Sequence, residues 1–449
     1  MTDSAIPDTP RVASSRLIAD LDDARRRTLD LLADLDGERN PGPLLSIVNP
    51  PLWEVGHVGF FHDYFALRQL HGLPHYQHPD VDHLYDSSAI DHDSRWHLPL
   101  PDRETTLAYL TAVRDAMVER LPEGEADAAS SYVYQLTTLH EDMHAEAFTY
   151  TRQTLAYPAP TLSGAPGLPQ AQTGPCPGDV EIPGGEHLLG SAADVPFRFD
   201  NEKPPLTVSV DPFVISRAPV TNAEYLAFVE AGGYGNHAHW SATGWQWREG
   251  VGLAAPRYWR RNGAQWQQRV FDNWQPLAPD QPVCFVSWYE AEAWCHWADR
   301  RLPTELEWEV AASREKGTDG LAPGKRRWPW GDTPPDSTRA NLDGWRLGCV
   351  DVGAFPAGDS AFGCRQMIGN TWEWTDSVFC PFPGFSADPY RDYSEPWFAE
   401  GRRILRGGAW PTRSRLIHIG YRNFFTPDRG DVPAGFRSCA QWSARPPGV

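Results

Sequence analysis

The run His140-Glu141-Asp142-Met143-His144 sets two imidazoles four positions apart. On a helix that spacing stacks both rings on one face, one turn apart, where they can chelate a single metal ion. Val133, Leu136 and Ala147 fall on the same face, so both rings point inward. Histidines on a core stripe are costly to bury without partners, and a shared metal satisfies both; the plainer alternative is two core histidines bonded to protein groups. The run also spells HExxH, in which Glu141 would be the general base of a zinc hydrolase. The residues that follow, Ala145-Glu146-Ala147-Phe148-Thr149-Tyr150, lack the downstream Gly and His that a common version of that site requires. A third ligand is offered upstream by His57, which shares an apolar helical face with Trp53, Phe61 and Tyr64; His62 and Asp63 are neighbours off that face. Three histidines from two helices leave open positions for substrates, which suits Fe(II) oxygen chemistry as well as zinc hydrolysis.

The elements that must position these residues are helical. Leu17, Leu21, Ala24, Leu31 and Leu35 recur at helical spacing until Gly37. A second helix is predicted from Asn49-Pro50-Pro51, with Asn49 as N-cap, to Gly72. A third starts at Asp102, and a fourth runs from about Ser130 to Tyr157. Four such helices make a bundle over residues 13–157, and the long connection His75–Pro101 is a place to look for function. Residues 158–180, rich in Pro, Gly and Ala, read as a linker. Beyond it, over 181–449, the grammar changes to short alternating strands such as Leu206–Val210, two helices at Asn222–Ala231 and Trp288–Arg300, and many turns. That is a loop-rich α+β domain.

Composition bounds the function. The 449 residues carry 40 Lys+Arg against 59 Asp+Glu, a formal charge of −19, which leaves no electrostatic footprint for nucleic acid or an anionic membrane. No apolar run is long enough to span a membrane. Met1-Thr2-Asp3-Ser4 lacks the basic and apolar regions of a secretory signal, so cytoplasm is expected. Seven scattered cysteines without a CxxC support neither a zinc knuckle nor a disulfide framework. The 20 Trp and 42 Pro point to an irregular region pinned by indoles.

These motifs resemble a known arrangement. Asn49 to His57 (NPPLWEVGH) and His140 to Glu146 (HEDMHAE) are similar to the DinB-type iron domain of ergothioneine-pathway sulfoxide synthases. Pro219–Asn222, Val286–Trp288, Arg301–Glu309 (RLPTELEWE), Gly369–Trp374 (GNTWEW) and Arg406–Trp410 (RGGAW) resemble the formylglycine-generating-enzyme-like domain, a C-type-lectin-like fold. The cysteines that the copper-dependent relative places after Arg-Gly-Gly are missing here. The resemblance implies a DinB-like four-helix bundle followed by that domain, and a mononuclear non-heme Fe(II) enzyme. It would use O2 to join sulfur, or in one branch selenium, to C2 of the imidazole of hercynine, with His57, His140 and His144 as ligands. It also implies that Asn423 binds hercynine's carboxylate, that Phe424 faces its trimethylammonium with Phe425 as a second wall, and that Tyr85, near Arg95, supplies a proton or electron.

Departures bear on the chalcogen donor. Met143 stands where the glutamylcysteine-using branch has Gln. Of that branch's two arginines, Arg95 remains and His92 replaces the other, and Phe425 stands where it has Asp; Arg429 is kept. A donor with two carboxylates and an amine would be poorly held, so the resemblance is nearest to the selenoneine synthase branch, with a selenosugar as donor. Cysteine or gamma-glutamylcysteine is the alternative, and an HExxH zinc hydrolase or a non-catalytic lectin-like binding protein is more distant.

Overall fold

The computed structural model describes residues 7, 9–74, 80–165 and 173–441. The readings made at Met1–Ser4, at the start of the His75–Pro101 connection, over 166–172 of the 158–180 stretch and beyond 441 lie outside the described residues. The chain forms two compact units, one of residues 1–164 with Asp388–Asp392, the other of 165–387 with 393–449.

The first unit is built on helices α1 (Ser14–Leu32), α2 (Pro51–His62), α3 (Val81–Tyr85), α4 (Arg103–Val118) and α5 (Ala128–Thr154). Along α1, Leu17, Leu21, Ala24, Thr28 and Leu31 are buried, one stripe facing α5. Asp102 and Asp127 cap α4 and α5 by accepting from the Thr105 and Ser130 amides at 2.8 and 2.7 Å. The expected cap of α2 moves by one residue. Pro50 takes the cap position, Pro51 the first turn, and the Asn49 side chain instead accepts from Arg95 at 2.7 Å. Past His62 the same helix widens into a π-helical stretch, Asp63–Leu70, which apolar periodicity does not reveal.

Almost every residue of α2 is buried, and two glycines permit it. A Cβ at Gly56 would collide with the Tyr85 ring, and one at Gly59 would come within 2.8 Å of Leu110 and 2.9 Å of Tyr109 on α4. The described part of the connection before α4 contains α3 and a short 3-10 turn, His92–Trp96.

In the second unit one four-stranded sheet runs Asp179–Ile182, Phe213–Ser216, Cys439–Ala440, Arg300–Arg301. Another runs Asn423–Phe425, Arg403–Arg406, Trp372–Val378, Ala434–Gly435. Leu206–Val210 pairs with Gly185–Leu189. Helices form at Asn222–Glu230 and Trp288–Trp297, and also, unpredicted, at Ala242–Val251 and Glu305–Ser313. The last lies inside the RLPTELEWE motif, where Thr304 and Glu307 form a capping box.

Indoles do staple the loops of this unit. Trp288, Trp374 and Trp328 donate to the carbonyls of Thr375, Val286 and Ile417 at 2.9–3.0 Å. The motif charges form buried pairs: Arg406 bridges Glu305 and Glu309 at 2.6 Å each, Arg422 joins Glu305 at 2.7 Å, and Arg437 joins Glu373 at 2.5 Å. These motifs hold the fold.

Candidate metal centre

Helices α2 and α5 bring His57, His140 and His144 together, with one ligand-capable nitrogen from each lying within 4.8 Å of the others. The centroids of the three rings are 4.5–5.2 Å apart. Two of the rings are held in a defined tautomer. The His57 Nδ1–H donates to the Tyr85 carbonyl at 2.8 Å, and the His144 Nδ1–H donates to the Glu54 carboxylate at 2.6 Å. Each therefore keeps an Nε2 lone pair for a metal, in the way that outer partners orient ligating histidines. The Nδ1 of His140 is buried with no hydrogen-bond partner among the described residues.

Aromatic rings fix the remaining freedom. His140 stacks on Phe61 at 3.5 Å with 5° between planes, and His57 stacks on Trp53 at 5.2 Å and 7°. The Trp53 indole is anchored on the Leu84 carbonyl at 2.6 Å. Burial, reinforced by His144, pushes the His57 imidazole down to about 3. Burial and then the neighbouring imidazoles hold His140 well below the usual range. Both rings are thus neutral near pH 7, the form a metal requires. Three converging imidazoles, two with their Nδ1 anchored and one with its Nδ1 orphaned, fit a divalent transition metal such as Fe(II) or Zn(II).

The zinc-hydrolase reading of Glu141 is overturned. Its carboxylate is fully buried and bound to Arg25 Nε at 2.9 Å and Thr28 Oγ1 at 2.8 Å, with His62 at 3.4 Å. One position on from His140, it turns about 100° around the helix toward α1 and neutralises Arg25, so it is not available as a base for metal-bound water. His62 and Asp63 stay outside the triad: His62 meets the Thr137 carbonyl at 3.0 Å and Asp63 accepts from Tyr109 at 3.2 Å.

Tyr85 also departs from its expected role. Its ring lies against Gly56, and its buried hydroxyl is on the side of Thr106 and Tyr109 of α4. The contribution of Tyr85 to the triad is its carbonyl. A phenol ring beside the triad is that of Tyr390, which stands edge-on to His140 at 6.0 Å and to Phe61 at 4.8 Å. It lies 250 residues from His140 in the chain, and nothing local in the sequence points to it. Glu54 is the other missed residue. A single acid three positions before His57, on a helix otherwise apolar in its first turns, is the signal that could have found it.

Arg95 stacks over Trp53 at 4.1 Å and donates to Asn49 and to the carbonyls of Ser87 and Ile90. No carboxylate pairs with it among the described residues. His92 bonds to the Val48 carbonyl and Asp93, both at 2.8 Å. Met143 is half-buried on α5 immediately before His144.

The remaining expected residues belong to the second unit. Asn423–Phe425 is a strand paired with Arg403–Arg406, so successive side chains alternate between faces. Phe424 therefore points away from Asn423 and Phe425, and its ring is stacked on Phe379 at 3.9 Å and 12°. That corrects the expectation that Asn423 and Phe424 address one ligand: Phe425 is the aromatic on the face of Asn423. The Asn423 Oδ1 accepts from the Phe424 amide at 2.8 Å, leaving the amide's donors. Arg429 lies over Phe425 at 4.9 Å and is paired with Asp431 at 2.6 Å.

Comparison with known proteins gives a consistent picture over both units. Residues 20–150 match the DinB superfamily, and residues 165–441 match the Sulfatase-modifying factor enzyme 1-like domain. The chain is 38% identical to the hercynine oxygenase of Mycolicibacterium thermoresistibile over 97% of this chain and 96% of that one. It is 38% identical to the hercynine oxygenase of Mycobacterium tuberculosis over 92% and 96%. The formylglycine-generating enzyme of Streptomyces coelicolor is 33% identical over 64% of this chain and 96% of its own.

Proposed function

Because the chain belongs to the hercynine oxygenase family, we propose that it is an Fe(II)- and O2-dependent enzyme that forms a carbon–chalcogen bond at imidazole C2 of hercynine. The observation that carries this is the histidine triad with its two anchored Nδ1 atoms. Fe(II), held by His57, His140 and His144, supplies the one-electron chemistry with O2 when bound. The protein's part is to hold and orient. Tyr85 through its carbonyl and Glu54 through its carboxylate keep two ligands in the metal-ready tautomer. Tyr390, edge-on to His140, takes the proton-donating role first assigned to Tyr85, with the proton on its phenolic Oη.

Substrate recognition is drawn from the chemistry of the side chains. Asn423 offers neutral amide donors to a carboxylate, and Phe425, sharing its strand face, is an aromatic wall for a quaternary cation. Arg95, with no acidic partner among the described residues, is a guanidinium for an anionic or hydroxyl-rich donor.

For the donor itself we favour a selenosugar over gamma-glutamylcysteine. This rests on residue types: Met143, His92 and Phe425 offer no second cation and no carboxylate for an amino-dicarboxylate donor, and desolvated charges without partners are costly. Cysteine is the alternative. Anaerobic titration with Fe(II), followed by oxygen uptake with hercynine, tests the activity. One iron per chain and hercynine-dependent uptake are expected, and uptake unchanged by hercynine would overturn the reading. Competition between selenosugar, cysteine and gamma-glutamylcysteine, read by product mass, tests the donor.

A further inference from the structure

Two of the seven cysteines stand apart from the rest. Cys295 and Cys439 are sealed in the core, as is Cys364. Cys284 and Cys349 are only half-buried, far apart in sequence, and meet on consecutive residues of one turn. The Cys349 thiol donates to the Asn370 carbonyl at 3.5 Å, and the Cys284 sulfur accepts from the Thr371 hydroxyl at 3.6 Å. Cys284 is also the largest of the influences that raise the Cys349 thiol above its ordinary range, ahead of burial.

The backbone on both sides is fixed. The Asn370 side chain, on a residue with φ of +71°, accepts from the Val350 amide at 2.8 Å and donates to the Val350 carbonyl at 3.0 Å. The Val283 amide donates to the Val220 carbonyl at 2.9 Å. These bonds hold the backbone that carries both cysteines close to the Asn370–Thr371 turn. Cys349 also lines a cavity of about 1160 Å³ in the second unit, beside Arg346. The same cavity is lined by Asp280 and Asp351, and the Asp351 carboxylate acts on Arg346, so a small polar reagent entering it meets charges of both signs beside the thiol.

We infer that Cys284 and Cys349 are a reversible dithiol–disulfide site, oxidised by small disulfides that enter through this cavity. In the reaction one cysteine thiolate attacks a sulfur of the small disulfide and releases one small thiol. The second cysteine then attacks the mixed disulfide, forms the Cys284–Cys349 bond and releases the second thiol. Two electrons pass to the small disulfide, and the two cysteine protons end on the released thiols. This site is independent of the iron and of the oxygenase reading.

The test is made on the full-length protein, equilibrated with graded ratios of oxidised to reduced glutathione, quenched by alkylation and mapped by mass spectrometry. The expected result is loss of alkylation at Cys284 and Cys349 together, with the chain two hydrogens lighter and a peptide cross-link between them. Reduction should restore both sites, and the exposed Cys380 should carry glutathione instead. In Cys284→Ser the glutathione adduct should persist on Cys349, and in Cys349→Ser on Cys284, so either variant suffices if the other does not fold. Both cysteines remaining fully alkylated in the wild type at every ratio would overturn the inference. So would stable glutathione adducts on both without a cross-link.

Discussion

A single carboxylate oxygen of Glu54, 2.6 Å from the His144 ring, decides which nitrogen of that ring faces the triad. Glu54→Gln keeps the shape and removes the charge. It should weaken Fe(II) binding by about 10–100-fold, measured by competition with a coloured chelator, and unchanged affinity would remove Glu54 from the site. His140→Ala should abolish stoichiometric iron while leaving a folded chain, checked by metal analysis beside circular dichroism. The histidines are legible in the sequence because a helix converts a four-residue spacing into proximity, and His57 joins them because it shares a face with Trp53 and Phe61. Glu54 and Tyr390 are not so legible. Their roles depend on contacts made 90 and 250 residues away in the chain, which no local pattern encodes.

At the scale of elements, α2 is the part that must come closest to its neighbours. Gly56→Ala places a methyl group into the Tyr85 ring, so Tyr85 must move and its carbonyl with it. We expect a destabilisation of about 1–3 kcal/mol by thermal or denaturant unfolding, accompanied by weaker metal binding, since His57 loses its anchor. A stability loss with intact iron affinity would separate the packing role from the anchoring one. The bundle helices are readable from periodicity and the α4 start from Asp102, whereas α5 begins two residues before the expected Ser130, capped by Asp127. The π-helical stretch after His62 is not readable, because eight residues make fewer than two of its wider turns, too few for an i→i+5 period to show. The strand at Asn423 teaches the reverse lesson. Alternation alone separates Asn423 from Phe424 and sets Phe425 on the face of Asn423, a signal that the family resemblance does not carry.

For the whole molecule, pH and buried charge set the limits. Burial lowers His62 from 6.5 to about 4 and His57 to about 3. Between those values and 6.5 the unfolded chain binds more protons than the folded one, so stability present above pH 6.5 is lost as pH falls. His62 alone accounts for roughly 3 kcal/mol across that window. The melting temperature of the metal-free protein should therefore drop steadily from pH 7 to pH 5, and His62→Gln should flatten the slope. In the second unit, Glu305→Gln leaves Arg406 and Arg422 short of charge in the interior. Removing one partner of such a buried set costs about 3–5 kcal/mol, to be seen as loss of soluble yield or a lowered unfolding midpoint.

The five residues Asp388–Asp392 have a consequence for how the protein is made. They complete the helical unit, with Asp388 bonded to Tyr132 at 3.2 Å and Tyr390 against Phe61 and Phe65. A nascent chain therefore emerges with all three ligand histidines long before the tyrosine that belongs beside them. Through most of translation the bundle exposes an aromatic face to its surroundings, and only the last seventh of synthesis supplies its cover. Domains generally fold as units in the order they leave the ribosome, so this one must wait. A gene fragment ending at 164 should yield a bundle that gathers aromatic dyes and chaperones, while the full-length chain sheds both.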